Sequence, residues 1–144
     1  MSVRDLGNMT KALQTLRAVQ WTMLASIVLC GIVGQVVGPA PRGVDPALSY
    51  LCATLSVAIV GAIFVVRRTL VLRAAESLAT DPDDSLSLNH WRTGYTMTYA
   101  LSEALAVFGL VLRLRGSPVQ ASVPYYLGGF VLLLFFWPRR PAST

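Results

Sequence analysis

The chain reads as an all-α, polytopic membrane protein, a bundle of four transmembrane helices. Three observations predict this. Four long windows carry no charged residue, or only one. The composition is 54% hydrophobic and only 13% charged, with a mean hydropathy of +0.58, whereas soluble domains are about a quarter charged. Lys and Arg fall mostly on one side of those windows. Such a composition also excludes disorder, which needs few apolar residues and many charges. The 144 residues suit one membrane domain, 1–144.

The first window, Ala18–Pro41, holds 24 residues without Asp, Glu, Lys or Arg. A bilayer core about 30 Å thick needs about 20 apolar helical residues, so a span is expected over 18–38. The run is too long for the apolar region of a signal peptide, about 7–15 residues. Before it, Leu6, Met9, Leu13 and Leu16 repeat at helical spacing. Within it, Thr22, Ser26, Cys30, Gly34 and Gly38 recur every fourth residue. Small residues on one face let helix backbones approach closely in lipid, so Ser26, Cys30 and Gly34 are expected to pack.

Glycine and proline at Gly38-Pro39-Ala40-Pro41-Arg42-Gly43 stop that helix. Asp45 then reads as an N-cap, with Pro46 at the first helical position. Pro46–Val66 is free of charge over 21 residues and predicts a span over 46–66, with Gly61 on a small-residue stripe. Leu70, Ala74 and Leu78 continue at helical spacing among Arg67, Arg68, Arg73 and Glu76. This segment and residues 6–16 read either as amphipathic turns on the membrane surface or as plain helix extensions. Thr80-Asp81-Pro82-Asp83-Asp84 breaks the chain within a cytoplasmic loop expected over 67–92. It lacks the glutamate and the spacing of an EF-hand.

The third window, Thr93–Leu112, is interrupted once, by Glu103, and predicts a span over 93–113. The fourth, Gly116–Pro138, holds 23 uncharged residues and predicts a span over 118–137. Ser117 and Gln120 have the spacing of a capping box, Pro124 should kink the helix, and Gly128 offers a close packing position.

Nine basic residues lie in the N-terminal arm, the middle loop and the tail: Arg4, Lys11, Arg17, Arg67, Arg68, Arg73, Arg92, Arg139 and Arg140. Three, Arg42, Arg113 and Arg115, lie in the hairpin loops. The positive-inside rule then puts both termini in the cytoplasm of a multi-pass protein of the cell (inner) membrane. Trp21, Trp91, Tyr95 and Trp137 fall near the same interface, where amphipathic rings prefer to sit. The net charge of +5 therefore calls for no nucleic-acid partner. Trp21-Thr22-Met23 recurs as Tyr95-Thr96-Met97, and Phe64-Val65-Val66-Arg67-Arg68 as Phe136-Trp137-Pro138-Arg139-Arg140. Two duplicated helical hairpins would produce that pattern.

Glu103 is the one acidic residue near a window centre. A charge at the bilayer midplane costs about 2.5–3.5 kcal/mol on insertion scales, and such residues face the bundle interior. Hydrocarbon favours the neutral form of a carboxyl group. Tyr99 and Thr96 lie on the same helix face, Ser56 lies at a similar depth, and no Lys, Arg or His does. Ser56 and Tyr99 are the expected hydrogen-bond partners. Two readings stand: a proton or cation site built on Glu103, Tyr99, Ser56 and Thr96, or a carboxyl group that locks helices together.

The stretch Ala100-Leu101-Ser102-Glu103-Ala104-Leu105-Ala106-Val107-Phe108-Gly109-Leu110-Val111 resembles the carboxylate helix of the proteolipid (c) subunits of rotary ATP synthases. That resemblance covers about a dozen residues. It implies that Glu103 binds a transported proton or sodium ion in an assembly of identical subunits. The family carries its acid on the second helix of a hairpin, whereas Glu103 lies on the first helix of its own. The family's glycine-repeat helix and polar loop have no counterpart here.

No further chemistry is legible. His90 is the lone histidine, Cys30 and Cys52 lie in different spans, and neither a zinc motif, a nucleophile elbow nor a P-loop occurs. No cofactor, metal or enzymatic activity is expected. The sequence points to a non-enzymatic accessory or self-associating subunit of a membrane complex. Its partners would be the lipid bilayer and other membrane subunits or copies of itself. The alternative is a proteolipid-like transport subunit using Glu103.

Overall fold

A computed structural model describes residues 3–43, 45–80 and 84–138, with the backbone alone for 3–9. Arg139 and Arg140, residues 81–83 of the acidic break, and the side chains of Arg4, Leu6 and Met9 lie outside what is described. The described residues form helices and no strand. They are α1 (Val3–Val37), α2 (Pro46–Val66), a π-helical segment (Arg67–Leu72), α3 (Arg73–Thr80), α4 (Ser85–Leu114) and α5 (Val119–Phe135).

Three stretches are long and apolar enough to cross a membrane: Thr10–Val37, Pro46–Thr80 and Ser85–Leu114. The second runs from α2 through the π segment into α3 without a break, so 67–80 extends a helix. The fourth apolar helix, α5, has 17 residues. At 1.5 Å per residue it is about 26 Å long, short of a hydrocarbon core about 30 Å thick. Pro138 explains the early stop, because the residue before a proline is pushed out of the helical region. Trp137, the expected end of this span, is that residue.

The helix ends follow local chemistry. Asp45 Oδ1 accepts from the Ala47 and Leu48 N–H groups at 3.0 and 3.4 Å, with Pro46 at N1 as expected. Asp84 caps α4 in the same way, accepting from Leu86 N–H at 3.0 Å and from the Ser87 hydroxyl. The Ser87 hydrogen bond is the main reason the Asp84 carboxyl sits below its ordinary pKa, helped by the Ser87 and Leu86 N–H groups and by His90. At the far end of α4, Gly116 adopts φ 87°, open to glycine without strain. Gly116 N–H bonds Arg113 C=O and Ser117 N–H bonds Leu112 C=O, each at 3.0 Å. This pair is a Schellman motif. It uses the backbone of Ser117, so the capping box does not form: the N-cap of α5 is Pro118, without a side-chain bond. Pro124 lies inside α5.

Several polar residues face inward, beside an apolar core, and many large apolar residues face outward. Gln20, Thr98, Ser102 and Ser122 are 0% exposed, whereas Val36, Val57 and Phe135 are 75–78% exposed. This inversion suits a lipid surround. α4 is the hub, touching α1, α2, the π segment, α3 and α5. Its inner face carries Gly94, Thr98, Ser102 and Ala106 at four-residue spacing, then Gly109. The Thr98 and Ser102 hydroxyls donate to carbonyls of their own helix, each at 2.8 Å, so they cost little in an apolar interior. α5 packs on α4 and α1. α2 rests on α4, and its backbone comes close to neither α1 nor α5. Only 11% of its apolar window is buried, against 44% for α4.

α1 and α4 run in the same direction. At one end, the terminal end, Leu13, Leu16, Val71, Ala74, Leu78 and Trp91 share one apolar cluster. Leu13 and Leu16 of the first extension and Ala74 and Leu78 of the second are therefore buried within the chain. Trp91 is 1% exposed and Tyr95 4%, so both rings face the bundle and not its outer surface. The two rings pack edge-on at 5.0 Å. At the opposite end, the loop end, Arg42 N–H bonds Gly116 C=O at 3.0 Å and ties the hairpin loops together. Arg113 is drawn in from its expected place in the loop. It is 7% exposed and donates to Pro39 C=O at 2.8 Å and to Ser117 C=O at 3.3 Å.

Candidate functional site

Glu103 projects from the inner half of α4 and is partly buried. Its partner is Ser26 on α1, whose hydroxyl donates to Glu103 Oε1. Ser26 belongs to the four-residue stripe of small residues, so this stripe bears chemistry as well as packing. Cys30, one turn on, lies beside Ser26 and Glu103. No cation pairs with Glu103 among the described residues, and α2 contributes no charged group at all.

The other expected members of the site lie elsewhere. Tyr99 is fully buried, but its hydroxyl donates to Phe136 C=O at 3.4 Å. The reason is the early end of α5, which leaves its last carbonyls without helical partners. Gln20 answers the same need, donating to Leu133 C=O at 2.6 Å. Thr96 faces outward and donates to Arg92 C=O at 3.1 Å. Ser56 donates to Cys52 C=O of its own helix at 2.7 Å. Ser56 lines a separate apolar groove of about 350 Å³ between α2, α4 and α5, with Val60, Leu105, Pro124 and Gly128.

The packing positions divide in the same way. A Cβ on Gly34 would stand 2.7 Å from Tyr126 Oη, so this glycine is where α1 and α5 meet. A Cβ on Gly61 or Gly128 would meet nothing within 4 Å, so these two pack against nothing within the chain. The close approach belongs to Gly129, where a Cβ would stand 2.5 Å from Ser102 C=O. On α4, Gly94 and Gly109 play the corresponding part toward Val71 and toward Ser122.

Residues outside the expected set complete the seam where α1, α4 and α5 meet. Tyr126 lies beside Cys30 and Arg113. Tyr126 Oη, Arg113 Nε and Ser122 Oγ are buried and have no hydrogen-bond partner. The four-residue rule applied to the first span would have found Gly94, Thr98, Ser102 and Ala106. Tyr126 carries no signal of its own, since a tyrosine in an apolar helix reads as bulk. Among the described residues no three His, Cys, Asp or Glu side chains form a group that could hold a metal ion.

No protein-family model, curated protein or solved structure matches the chain.

Proposed function

We propose that the chain is a four-span, non-enzymatic subunit of a membrane complex, working through lateral association in the bilayer. The observation that carries this is α2, which rests mainly on α4 and turns most of its apolar surface outward. Gly61 and Gly128 face open space, and small residues are where a neighbouring helix backbone approaches. On this reading α5 is the fourth span. Its shortness is met by local thinning of the bilayer or by association, each a modest cost. The parallel course of α1 and α4 suits two duplicated hairpins. The balance of Lys and Arg supports a cell (inner) membrane location with both termini cytoplasmic. The test is the mass and composition of the complex extracted gently from its native membrane. Several copies, or one copy beside larger subunits, is the expected result; a lone monomer overturns the proposal.

A second reading is favoured by one observation, the inward-facing Glu103 held by a single hydroxyl and by no cation. An intramembrane acid of this kind marks an ion or proton site by default, and the local likeness to the rotary proteolipids agrees. Glu103 then binds a proton or cation, with Ser26 as its partner in place of Tyr99, Ser56 and Thr96. Glu103→Gln should leave folding intact, because an amide oxygen still accepts from Ser26. It should abolish proton or cation movement in vesicles. If Glu103→Gln loses assembly while Glu103→Asp keeps it, the carboxyl group only locks α1 to α4.

A further inference from the structure

We infer that Glu103 exchanges its proton with the loop end of the bundle, along the α1–α4–α5 seam, through water beside Cys30 and Tyr126 and past Arg113. This rests on the second reading above, in which Glu103 is a protonatable site, and adds the side and the route of access.

The two halves of the seam differ. From Glu103 toward the terminal end it is closed by Leu24, Leu133 and Tyr99, all of them buried. The hydroxyls on that side, Thr98 and Ser102, are spent on their own helix. The unpartnered Gln20 Oε1 and Arg67 Nη1 lie beyond this plug. From Glu103 toward the loop end polar side chains of all three helices recur along the seam, among Ala106, Gly109 and Leu110 of α4. Ser26 bonds Glu103, and Cys30 lies next to both. Tyr126 follows, near Cys30 and Arg113, with its Oη and Arg113 Cγ both against Gly34. Arg113 reaches Pro39 C=O in the hairpin loop. The distance along α4 from Glu103 to Arg113 is about 15 Å at 1.5 Å per residue.

Glycine makes the room. A Cβ on Gly34 would meet Tyr126 Oη at 2.7 Å, and one on Gly38 would meet Arg113 Cζ at 2.9 Å. The side chains that bridge the seam occupy the space those methyl groups would fill. The other orphaned polar atoms fall on this half: Tyr126 Oη, Arg113 Nε, and Ser122 Oγ on a fully buried residue one turn before Tyr126. Buried polar atoms are normally paired with protein or with ordered water. Donors and acceptors left over in sequence between an acid and the loop end are what water-assisted proton transfer requires. The step itself is simple: hydronium at the loop end gives up a proton and becomes water, and the Glu103 carboxylate takes the proton, its charge going from −1 to 0.

The test uses the full chain with Cys52→Ser, uniformly oriented in sealed lipid vesicles, so that Cys30 is the one thiol. Silver ion, about the size of a water molecule, is added to either face, and loss of the free thiol is followed. The S–Ag bond forms as the thiol proton leaves. Reaction from the loop face should be at least tenfold faster than from the terminal face. Gly34→Val should slow it at least tenfold; where that variant fails to fold, Gly34→Ala should slow it in the same direction. In parallel, a lipid-soluble carbodiimide should label Glu103 at low pH and leave Glu103→Gln unlabelled. Labelling of Glu103 together with equal silver rates from both faces, or with none from the loop face, overturns the route and leaves the proton site standing. No labelling at any pH removes the proton site and the route with it.

Discussion

Gly128 and Gly129 are adjacent, and alanine should act on them with opposite signs. In the interior of a helix, Gly→Ala gains about 0.5–1 kcal/mol from backbone entropy. At Gly128 nothing lies within 4 Å of the new Cβ, so that gain should appear undiminished. At Gly129 the Cβ would stand 2.5 Å from Ser102 C=O and 3.3 Å from Ile27 Cδ1. The first of these neighbours is backbone of α4 and cannot rotate away, so α5 must move off α4. Overpacking of that kind costs about 1–3 kcal/mol. The two neighbours should therefore differ by roughly 1–3 kcal/mol in stability. The difference is measurable as the midpoint shift of reversible unfolding in lipid–detergent micelles. If Gly128→Ala destabilises the chain as much as Gly129→Ala, the face of α5 that meets α4 has been misassigned and the seam geometry falls with it.

Ser26→Ala removes the one hydrogen-bond partner that Glu103 has among the described residues and should cost about 1–3 kcal/mol. Glu103→Gln should be near neutral, and the two changes should be non-additive in a double-mutant cycle. Arg113→Met deletes the bonds to Pro39 and Ser117 carbonyls and should cost about 2 kcal/mol. It should also raise proteolytic nicking of the 38–45 loop. Asp84 has a native pKa below its unfolded value of about 3.9, so its contribution is complete above that value and is lost as pH falls through the lower native one. The stability difference between the native chain and Asp84→Ala should therefore shrink as pH drops below about 4. A difference unchanged down to the acid limit would refute the cap.

Much of the helix pattern was legible in one dimension. The charge-free runs predict α1, α2 and α4, because hydrocarbon tolerates no unpaired backbone and few charges. The start of α2 at Asp45-Pro46 follows from local capping chemistry alone. The end of α5 was less legible. Pro138 predicts a stop, but its consequence, orphan carbonyls capped by Gln20 and Tyr99, depends on helices far away in the chain. The Ser117 capping box failed for a related reason. Two signals competed for the backbone of one residue, and the Schellman turn of α4 took it.

The site shows the same division. Glu103 stood out because an acid in an apolar window is rare for a clear energetic reason. Its partner did not stand out, because matching depth along a span says nothing about which way each helix is turned. Ser56 and Gly128 share the depth of Glu103 but line a groove on the far side of α4, whereas Ser26 is turned toward it.

By itself, then, the sequence determined that the helices form, roughly where they begin and end, and that an apolar surround is required. These are properties of local capping and of summed transfer energy, and both are additive along the chain. Only the tertiary structure decided that the most polar of the long helices is the hub, that α2 stays at the edge, and that Ser26 faces Glu103. Those outcomes depend on helix rotation and close approach. They are set by where backbones can touch across Gly34, Gly94, Gly109 and Gly129, contacts that residue spacing within one helix does not encode.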